Sequence, residues 1–310
     1  MRHIIIRGIA RKSIFSSKDG RRDVLVCITV AFLLSSCMDS DEPEKPLPRP
    51  ASVKVAAVQF HSEFGRPDKN RKRMVAFIEK AAEYGVKVIV FPEAAIPGYC
   101  DLSTETFWSS KKEEEKGYCF VGKVAESVPG VSTDYFAPIA AKHKLYLTVP
   151  VIEKKRDKYY NTAVLLGPKG KIRMVHRKVV PWTFADTYWM TEAEIDTVRT
   201  VETEYGTVGL MICRDLHKLI DVYGKKKADI VLHCVAWFGP NSGGWFDRVL
   251  AKKVRSANIN LVLSNWTFDR NPGWRGYGFS RIIARNGRKI SEAGMQLREE
   301  IVVGSFRVNK

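Results

Sequence analysis

The sequence predicts a mixed α/β domain over residues 51–310, and three observations lead to this class. Apolar residues make up 45% of the 310-residue chain and charged residues 27%. This composition is typical of globular proteins and excludes a disordered tail, a collagen-like fibre and a multi-span membrane protein. Short apolar runs alternate with helical patterns in the first part of the domain, and hairpins appear in the later part. The chain has no tandem repeat of solenoid period.

The first part of the domain alternates strands with helices. An apolar run at 53–60 has the length of a buried strand, and a second such run covers 86–91. Between them we expect a helix that begins at Pro67, because proline suits the first helical turn, and that stops before Gly85. Its apolar residues recur at spacings of three and four: Met74, Phe77, Ile78 and Ala81.

A further helix and a series of strands follow. Ser132 is a helix-capping residue type and predicts a helix that runs to Lys144. Apolar runs then predict strands at 145–152, 160–166, 171–176, 200–203, 208–213, 230–235, 261–264, 279–284, 289–293 and 301–306. Turn residues separate three of the pairs: Pro168-Lys169-Gly170, Tyr205-Gly206 and Asn286-Gly287. We expect a short helical stretch after 213 and a helix near 245–258.

The first fifty residues resemble a secretion signal and not part of the fold. Residues 11–22 are basic and polar, and 24–34 are apolar. The apolar run is too short to span a bilayer as a helix, which needs about 20 residues, but it suits the core of a secretory signal. Leu34-Ser35-Ser36-Cys37 resembles a bacterial lipobox, in which the cysteine receives lipid and becomes the mature N-terminus. The alternative is an ordinary signal peptide in which Cys37 is incidental.

We therefore divide the chain into a lipoprotein signal peptide at 1–36, a tether at 37–50 and a folded domain at 51–310. The tether is acidic and then proline-rich, which favours an extended chain. Its acidic stretch resembles the surface-export signal of Bacteroidota lipoproteins. The resulting expectation is a protein of the bacterial cell envelope that is held to a membrane by lipid, with the outer membrane or cell surface favoured over the inner membrane.

Charge and cysteine content limit the partners. The chain has 51 Lys and Arg against 34 Asp and Glu, for a net charge of +17. It contains no zinc-finger spacing, RNP-like motif or dense basic helix, so we expect a solvated basic surface and no nucleic-acid partner; the alternative is a surface attracted to anionic lipid or polymer. None of the six cysteines forms a C-x-x-C pair, so we expect no metal or iron–sulfur site. A bond between Cys100 and Cys119 is left open.

Three predicted strand ends carry residues of unusual chemistry. VIVFPE ends in Glu93, MVHRK ends in Lys178, and VGLMIC ends in Cys213. In open α/β sheets, reactive residues collect beyond the carboxyl ends of the strands. A carboxylate, an ammonium group and a thiol brought to one edge can act as base, oxyanion stabiliser and nucleophile.

These motifs resemble those of the nitrilase, or carbon–nitrogen hydrolase, superfamily: FPE after a strand, RK after a hairpin and GLMICRD after another strand. The resemblance covers roughly 52–308 and includes AVQF, YNTAVLLGPKGKI and GYGFSRIIARNGRKI. It implies a catalytic triad of Glu93, Lys178 and Cys213. It also implies a four-layer α-β-β-α sandwich that pairs through a second α-layer into dimers or larger homo-oligomers.

A fourth site residue follows from the segment RKVVPWTFADTYW. It resembles a stretch of aliphatic amidases in which a second glutamate lies eight residues after the lysine. Asp186 occupies that position here, with a shorter arm that could hold Lys178 or a catalytic water. If Asp186 faces solvent instead, Asp215 or Glu192 would take that role.

Other residues have both a structural and a functional interpretation. We expect Cys234 to be a core residue, because it lies within an apolar strand. His217 lies four residues after Cys213, which leaves a Cys–His pair as an alternative. A group of aromatic residues near the motifs lines a pocket or packs in the core: Trp182, Tyr188, Trp189, Trp237, Phe238 and Trp266.

The resemblance implies hydrolysis of a small linear amide through a thioester on Cys213, with no metal or organic cofactor. Lys178 and the backbone N–H of Arg214 would stabilise the oxyanion, and the lysine charge would lower the thiol pKa. A carbamoyl compound or a pantetheine-like amide also fits, whereas a nitrile is disfavoured because Arg214-Asp215 replaces the Trp-Glu of nitrilases. The alternatives are acyl transfer to an amine and a non-catalytic envelope binding protein.

Overall fold

Two six-stranded β-sheets form the centre of the computed structural model, which describes residues 50–99, 107–112, 117–237, 244–267, 276–294 and 298–308. The helices are α1 (Pro67–Glu83), α2 (Val131–His143), α3 (Leu216–Lys225) and α4 (Ala251–Ala257). The strands are β1 (Ser52–Gln59), β2 (Val88–Val90), β3 (Phe107–Ser109), β4 (Tyr118–Phe120), β5 (Tyr146–Lys155), β6 (Lys158–Leu166), β7 (Ile172–Arg177), β8 (Thr200–Thr203), β9 (Gly206–Ile212), β10 (Ile230–Val235), β11 (Asn260–Asn265), β12 (Arg281–Ile283), β13 (Lys289–Glu292) and β14 (Glu300–Arg307).

Each sheet combines parallel strands at its centre with antiparallel strands toward its edges. The first sheet has the order β14-β1-β2-β5-β6-β7, in which β1, β2 and β5 are parallel. The second has the order β13-β12-β11-β10-β9-β8, in which β9, β10 and β11 are parallel. A separate two-stranded sheet joins β3 and β4.

The two sheets pack face to face, and helices cover their outer faces. Apolar residues of both sheets share one core, including Val55 and Leu165 of the first sheet and Leu210 of the second. Helices α1 and α2 pack on the first sheet through a second core. Helix α3 packs on the second sheet, where the Tyr223 hydroxyl donates a hydrogen bond to the Leu210 carbonyl. These layers confirm the expected α-β-β-α sandwich.

Helix α1 follows its sequence signals closely. It begins at Pro67, and its buried face contains Met74, Ile78 and Ala81. At its end Gly85 has a φ of 71°, a left-handed conformation that glycine adopts without steric cost. The Gly85 N–H donates to the carbonyl of Ala82 at 2.9 Å, which satisfies one of the last carbonyls of the helix.

Helix α2 starts differently from its prediction. It begins at Val131, so Ser132 lies inside the first turn and is not the N-cap. Glu126 supplies the acceptor for that turn, because its carboxylate takes the Ser132 N–H at 2.6 Å. The Thr133 hydroxyl accepts the N–H of Gly130, the residue just before the helix, at 2.8 Å. An acceptor six residues upstream, in an isolated β-bridge with Glu153, has no local sequence signature.

Most other predicted elements lie within one to three residues of the observed ones. The helix expected near 245–258 is π-helical over Trp245–Leu250 and α-helical only over Ala251–Ala257. Strands β3 and β4 have three residues each and were not predicted, since such short runs give no periodic signal. Among the described residues, no helix is both long and apolar enough to cross a membrane.

Candidate active site

Three strand ends bring buried, reactive side chains to the same edge of the sandwich. Glu93 follows β2, Lys178 follows β7 directly, and Cys213 follows β9 directly. Glu93 and Lys178 have no exposed surface, and Cys213 is only 5% exposed. Both turns that leave the parallel strands contain a residue in the left-handed region, Ala94 at a φ of 50° and Cys213 at 45°. Strained backbone of this kind is common where a side chain must be aimed at a reaction centre.

Lys178 lies between two carboxylates. Its Nζ donates to Oε1 of Glu93 and to Oδ2 of Asp186, each at 2.6 Å. All three side chains are fully buried. The structure therefore places the first two predicted triad residues and Asp186 in direct contact, although 85 residues separate Glu93 from Lys178 along the chain.

The two carboxylate oxygens of Glu93 differ in their hydrogen bonding. Asn161 Nδ2 donates to Oε1 at 2.8 Å, and Trp266 Nε1 donates to the Glu93 backbone carbonyl at 2.7 Å. The second carboxylate oxygen, Oε2, is buried and makes no hydrogen bond of ordinary geometry within the described residues. The Cys213 thiol is close enough to interact with this carboxylate. The oxygen is thus positioned as an acceptor for a proton that arrives during a reaction.

Asp186 is oriented by its own turn. Its Oδ2 accepts the Trp182 N–H at 2.7 Å in addition to the lysine, and its Oδ1 accepts the Tyr99 hydroxyl at 3.3 Å. The residue begins a short 3₁₀ turn and is fully buried, so it does not face solvent. Of the two alternative acids, Glu192 is exposed and Asp215 bonds to other groups.

Cys213 is fixed through its backbone and its thiol. It starts a 3₁₀ turn that leads into α3. His233 on β10 donates its Nε2–H to the Cys213 carbonyl at 3.0 Å. Since a carbonyl only accepts, this contact defines the tautomer of the neutral imidazole. A backbone hydrogen bond from Ala236, just beyond β10, reaches the thiol.

Burial and charge determine the protonation of the site. Burial raises the pKa of the Glu93 carboxyl, an effect that the nearby Lys178 cation only partly offsets. Burial would lower the pKa of Lys178, but the charges of Asp186 and Glu93 outweigh it and hold this pKa well above the usual lysine value. The ammonium group is therefore a permanent cation across the physiological pH range.

The pKa of the Cys213 thiol is raised well above its usual value, first by burial and then by the negative charge of Glu93. Lys178 acts in the opposite direction, as expected from the sequence, but it does not prevail. The lysine charge therefore has the expected direction, but burial, which was not visible in the sequence, has the larger effect on the thiol pKa. The resting cysteine is therefore a thiol, and it would require a base in order to act as a nucleophile.

Asp215 joins the ends of β7 and β9, which belong to different sheets. Its Oδ1 accepts the backbone N–H groups of Val179 and Val180 at 2.9 and 2.8 Å. Its Oδ2 accepts the Ile212 N–H at 3.0 Å and His176 Nε2 at 2.8 Å. These four bonds fix the residues that flank Lys178 and Cys213 relative to each other, and sequence analysis missed this role.

Cys234 packs in the core and His217 packs near the surface. Cys234 is in β10, and burial raises the pKa of its thiol to about 12. It packs in the core, although the charge of Glu93 adds to that shift. His217 is on the outer side of α3, with its ring 5.9 Å from that of Trp245. It therefore packs against an indole ring on the surface side of the helix layer.

Part of the expected aromatic pocket forms beside the site. Tyr99, Trp182 and Trp266 cluster with Ala94 and Ala236, which follow Glu93 and β10. The rings of Tyr99 and Trp182 are stacked, with centroids 6.5 Å apart. Three other residues expected in the pocket lie outside this cluster. Trp237 packs on His233, Trp189 belongs to a different core cluster, and Tyr188 is 47% exposed.

Several expectations fall outside the described residues. These are the signal peptide at 1–36, Cys37 with the tether as far as residue 49, Cys100 as a partner of Cys119, and Phe238. Within the described residues, no group of three or more His, Cys, Asp or Glu side chains is arranged to hold a metal ion. The absence of a cofactor therefore stays a prediction.

Comparison with known proteins decides the family. The profile of the carbon–nitrogen hydrolase family matches residues 54–309, which is most of the chain. The chain belongs to the carbon–nitrogen hydrolase family. This family assignment agrees with the motif order from which the resemblance was inferred.

Relatives of this carbon–nitrogen hydrolase are distant. It is 26% identical to omega-amidase NIT2 of Danio rerio over 79% of this chain and 86% of that protein. It is 28% identical to omega-amidase NIT3 of Saccharomyces cerevisiae, over 78% and 83% respectively. It is also 28% identical to a nitrilase of Bacillus sp. strain OxB-1, over 83% of each chain.

Solved structures show the same fold. Saccharomyces cerevisiae Nit3, a member of branch 10 of the nitrilase superfamily, aligns with a TM-score of 0.67 at 23% identity, covering 83% of this chain and 90% of that one. An amidase from Nesterenkonia sp. aligns with a TM-score of 0.69 at 16% identity, covering 85% and 94%. The four-layer sandwich is therefore that of the nitrilase superfamily.

Proposed function

We propose that this enzyme hydrolyses a non-peptide C–N bond in a small linear amide through a thioester on Cys213. The observation that carries the proposal is the Glu93 carboxylate. One of its oxygens is held by Lys178 and Asn161, and the other is buried and available to the Cys213 thiol. Amidases among the relatives and among the structural neighbours support this choice of bond.

The first half of the reaction acylates the cysteine. Glu93 takes the thiol proton as the sulfur attacks the amide carbonyl. Lys178 and the backbone N–H of Arg214 stabilise the oxyanion that forms. When the C–N bond breaks, protonated Glu93 gives its proton to the departing ammonia or amine, and a thioester remains.

The second half releases the acid. Glu93, again a carboxylate, takes a proton from water as the water attacks the thioester. The C–S bond breaks, the proton returns to the thiolate, and the carboxylic acid leaves. Amide and water are consumed, and acid and amine are produced, so the enzyme returns to its starting state. Asp186, the carboxylate eight residues after Lys178, supports a relationship with the aliphatic-amidase-like members of the family.

Mass spectrometry of the protein during incubation with candidate amides tests this function. We expect a transient acyl adduct on Cys213 followed by free acid. A Cys213→Ala variant should lose the adduct and the turnover, whereas Cys234→Ala, the matched buried cysteine, should retain both. If an added amine collects the acyl group in place of water, the enzyme is a transferase. If no amide gives an adduct, the fold serves binding alone.

We also propose that the protein is anchored in a bacterial cell envelope through lipid on Cys37. The motif Leu34-Ser35-Ser36-Cys37 supports this proposal. Cells expressing the full chain should incorporate labelled fatty acid into the protein, and a Cys37→Ala variant should not. A wild-type protein that takes up no lipid label contradicts the proposal.

A further inference from the structure

We propose that Asn161 is a further catalytic residue of this site. Its side-chain oxygen, Oδ1, and the Glu93 oxygen Oε2 together bind the nitrogen of the leaving amine and then the water that attacks the thioester. This inference rests on the proposed amide hydrolysis and deepens it. Three features carry it: a defined orientation of the asparagine amide, two buried acceptors without donors in the described residues, and the face of β6 from which Asn161 extends.

The orientation of the Asn161 amide follows from its contact with Glu93. Nδ2 of Asn161 donates to Glu93 Oε1 at 2.8 Å, and the same oxygen accepts from Lys178 Nζ at 2.6 Å. If the amide were reversed, Oδ1 would face a carboxylate oxygen, and neither atom could donate. The Lys178 backbone N–H also donates to the Asn161 carbonyl at 2.8 Å, which fixes the strand beside the lysine. Oδ1 is therefore the amide atom that is left for another partner.

The two acceptors belong to one hydrogen-bonded pair of side chains. Asn161 is 1% exposed and Glu93 is fully buried. Neither Asn161 Oδ1 nor Glu93 Oε2 has a hydrogen-bond partner of ordinary geometry within the described residues. Buried acceptors in proteins are nearly always matched by donors. The Cys213 thiol interacts with the Glu93 carboxylate, but in the thioester the sulfur has no proton to offer. At that stage both acceptors are left for a molecule with two N–H or O–H groups.

The face of β6 directs Asn161 toward the reaction centre. Side chains alternate between the two faces of a strand. Ala163 and Leu165, on the same face as Asn161, belong to the core that the two sheets share, and this core also contains Cys213. Val164, on the opposite face, packs in the core beneath the helices. Asn161 therefore extends into the space between the sheets, where the nucleophile lies.

The pair of acceptors acts in both halves of the reaction. When the C–N bond breaks, Glu93 Oε2 gives its proton to the nitrogen, and Asn161 Oδ1 accepts a hydrogen bond from an N–H of that nitrogen. Water then takes the place of the amine and donates one O–H to each acceptor. Oε2 removes one proton as the water oxygen attacks the thioester carbon. Oδ1 holds the other hydrogen and so orients the oxygen for attack.

Asn161→Leu tests this role, because leucine fills a similar volume and has no polar atom. We expect kcat to fall by about 100-fold. Mass spectrometry should show the acyl adduct on Cys213 accumulating, because water is no longer oriented. Hydroxylamine is a stronger nucleophile and depends less on a positioned base. It should therefore collect more of the acyl group, and the ratio of hydroxamate to acid should rise by about 10-fold or more.

Thr162→Val is the matched control for this experiment. Thr162 is the next residue of β6, it is also buried, and its hydroxyl donates to Glu153 Oε2 at 2.9 Å. The variant thus loses one buried hydrogen bond on the opposite face of the same strand, and it should keep the wild-type product ratio. An unchanged ratio in Asn161→Leu, or a rise of the same size in Thr162→Val, overturns the proposal.

Binding to a Cys213→Ala protein separates this subsite from the proposed chemistry. The nitrogen of butyramide has two N–H donors, and that of N,N-dimethylbutyramide has none. Calorimetric titration should show tighter binding of butyramide. Adding Asn161→Leu should reduce the ratio of the two affinities by about 10-fold, whereas adding Thr162→Val should not.

The outcomes of this titration distinguish the two proposals. A reduced ratio supports the subsite even if the wild type hydrolyses no amide, in which case only the proposed function fails. If butyramide does not bind, or if Asn161→Leu leaves the ratio of affinities unchanged, the subsite is overturned. Turnover of butyramide by the wild type would then still support amide hydrolysis.

Discussion

Lys178 sets the charge of the site, because it is a buried cation between two carboxylates. The sequence predicted Glu93, Lys178, Asp186 and Cys213 as a group, since each lies in a motif with a recognisable order. It could not predict Asn161, which donates to Glu93 from within β6. An asparagine in an apolar strand has no chemical signature until its neighbours are known.

The pH dependence of hydrolysis should identify Glu93 as the base. Its carboxylate form is required, and burial raises its pKa above the ordinary value of 4.5. The rate should therefore fall as pH drops through a value higher than 4.5, measured as the acid limb of kcat/KM. Glu93→Gln should abolish turnover, whereas Glu192→Gln, at an exposed acid, should leave the limb in place. A limb at or below 4.5 would assign the base to another group.

Asp186→Asn should reduce turnover by about 100-fold, because it removes one of the two charges that hold Lys178 as a cation. The same charge raises the pKa of Lys178. Its loss should lower that pKa, so the alkaline limb of kcat should move to lower pH. Asp186→Glu retains the charge and should keep more activity. Tyr99→Phe removes the hydroxyl that donates to Oδ1 at 3.3 Å but keeps the Asp186 charge, so it serves as the control. An unmoved alkaline limb would contradict this role.

At the scale of secondary-structure elements, the turn between β9 and α3 matters most, because it contains both Cys213 and Asp215. The sequence placed Cys213 at a strand end and expected a helical stretch after it, and both features are observed. It could not reveal that Asp215 binds the N–H groups of Val179 and Val180. Those groups lie about 35 residues earlier, just beyond the end of β7 in the other sheet, so only tertiary packing brings them to the carboxylate.

Asp215→Asn should therefore damage two elements at once. The asparagine side-chain amide would place N–H donors opposite backbone N–H groups that need an acceptor, and this position is fully buried. We expect a loss of about 3 kcal/mol or more in the free energy of unfolding, together with reduced kcat. Asp221→Asn, at an exposed aspartate on α3, is the matched control and should unfold like the wild type. Urea denaturation measures both, and equal midpoints for the two variants would show that the bonds to Asp215 contribute little.

At the scale of the whole molecule, the site exists only because two sheets pack together. Glu93 and Lys178 extend from the first sheet and Cys213 from the second. Periodicity in the sequence predicted most of the strands but not their order. The pairing of β14 with β1, which lie at opposite ends of the domain, has no local signal. The four-layer arrangement was predicted from the resemblance to a family. The motifs of that family identify a known tertiary structure, which local sequence patterns do not specify.

The folded molecule should lose stability in mild acid through His233. Burial lowers the pKa of this imidazole from 6.5 to about 4, so the folded protein holds fewer protons than the unfolded chain between these values. Stability from this residue is complete above pH 6.5 and is lost as pH falls toward 4. The difference of about 2.5 pKa units corresponds to about 3 kcal/mol. The physical cause is visible at Nδ1, which is buried and has no hydrogen-bond partner among the described residues.

His233→Gln isolates this contribution, because glutamine does not titrate and can still donate to the Cys213 carbonyl. Urea denaturation at pH 7.5, 6, 5 and 4 gives the free energy of unfolding of each protein. The raised pKa of Glu93 acts with the opposite sign, since its folded form binds protons more tightly, but it is present in both proteins and cancels in their difference. We expect the wild type to lose about 3 kcal/mol more than the variant between pH 6.5 and 4. Parallel curves would mean that His233 becomes protonated without unfolding, and that the space around Nδ1 admits water to solvate the charge.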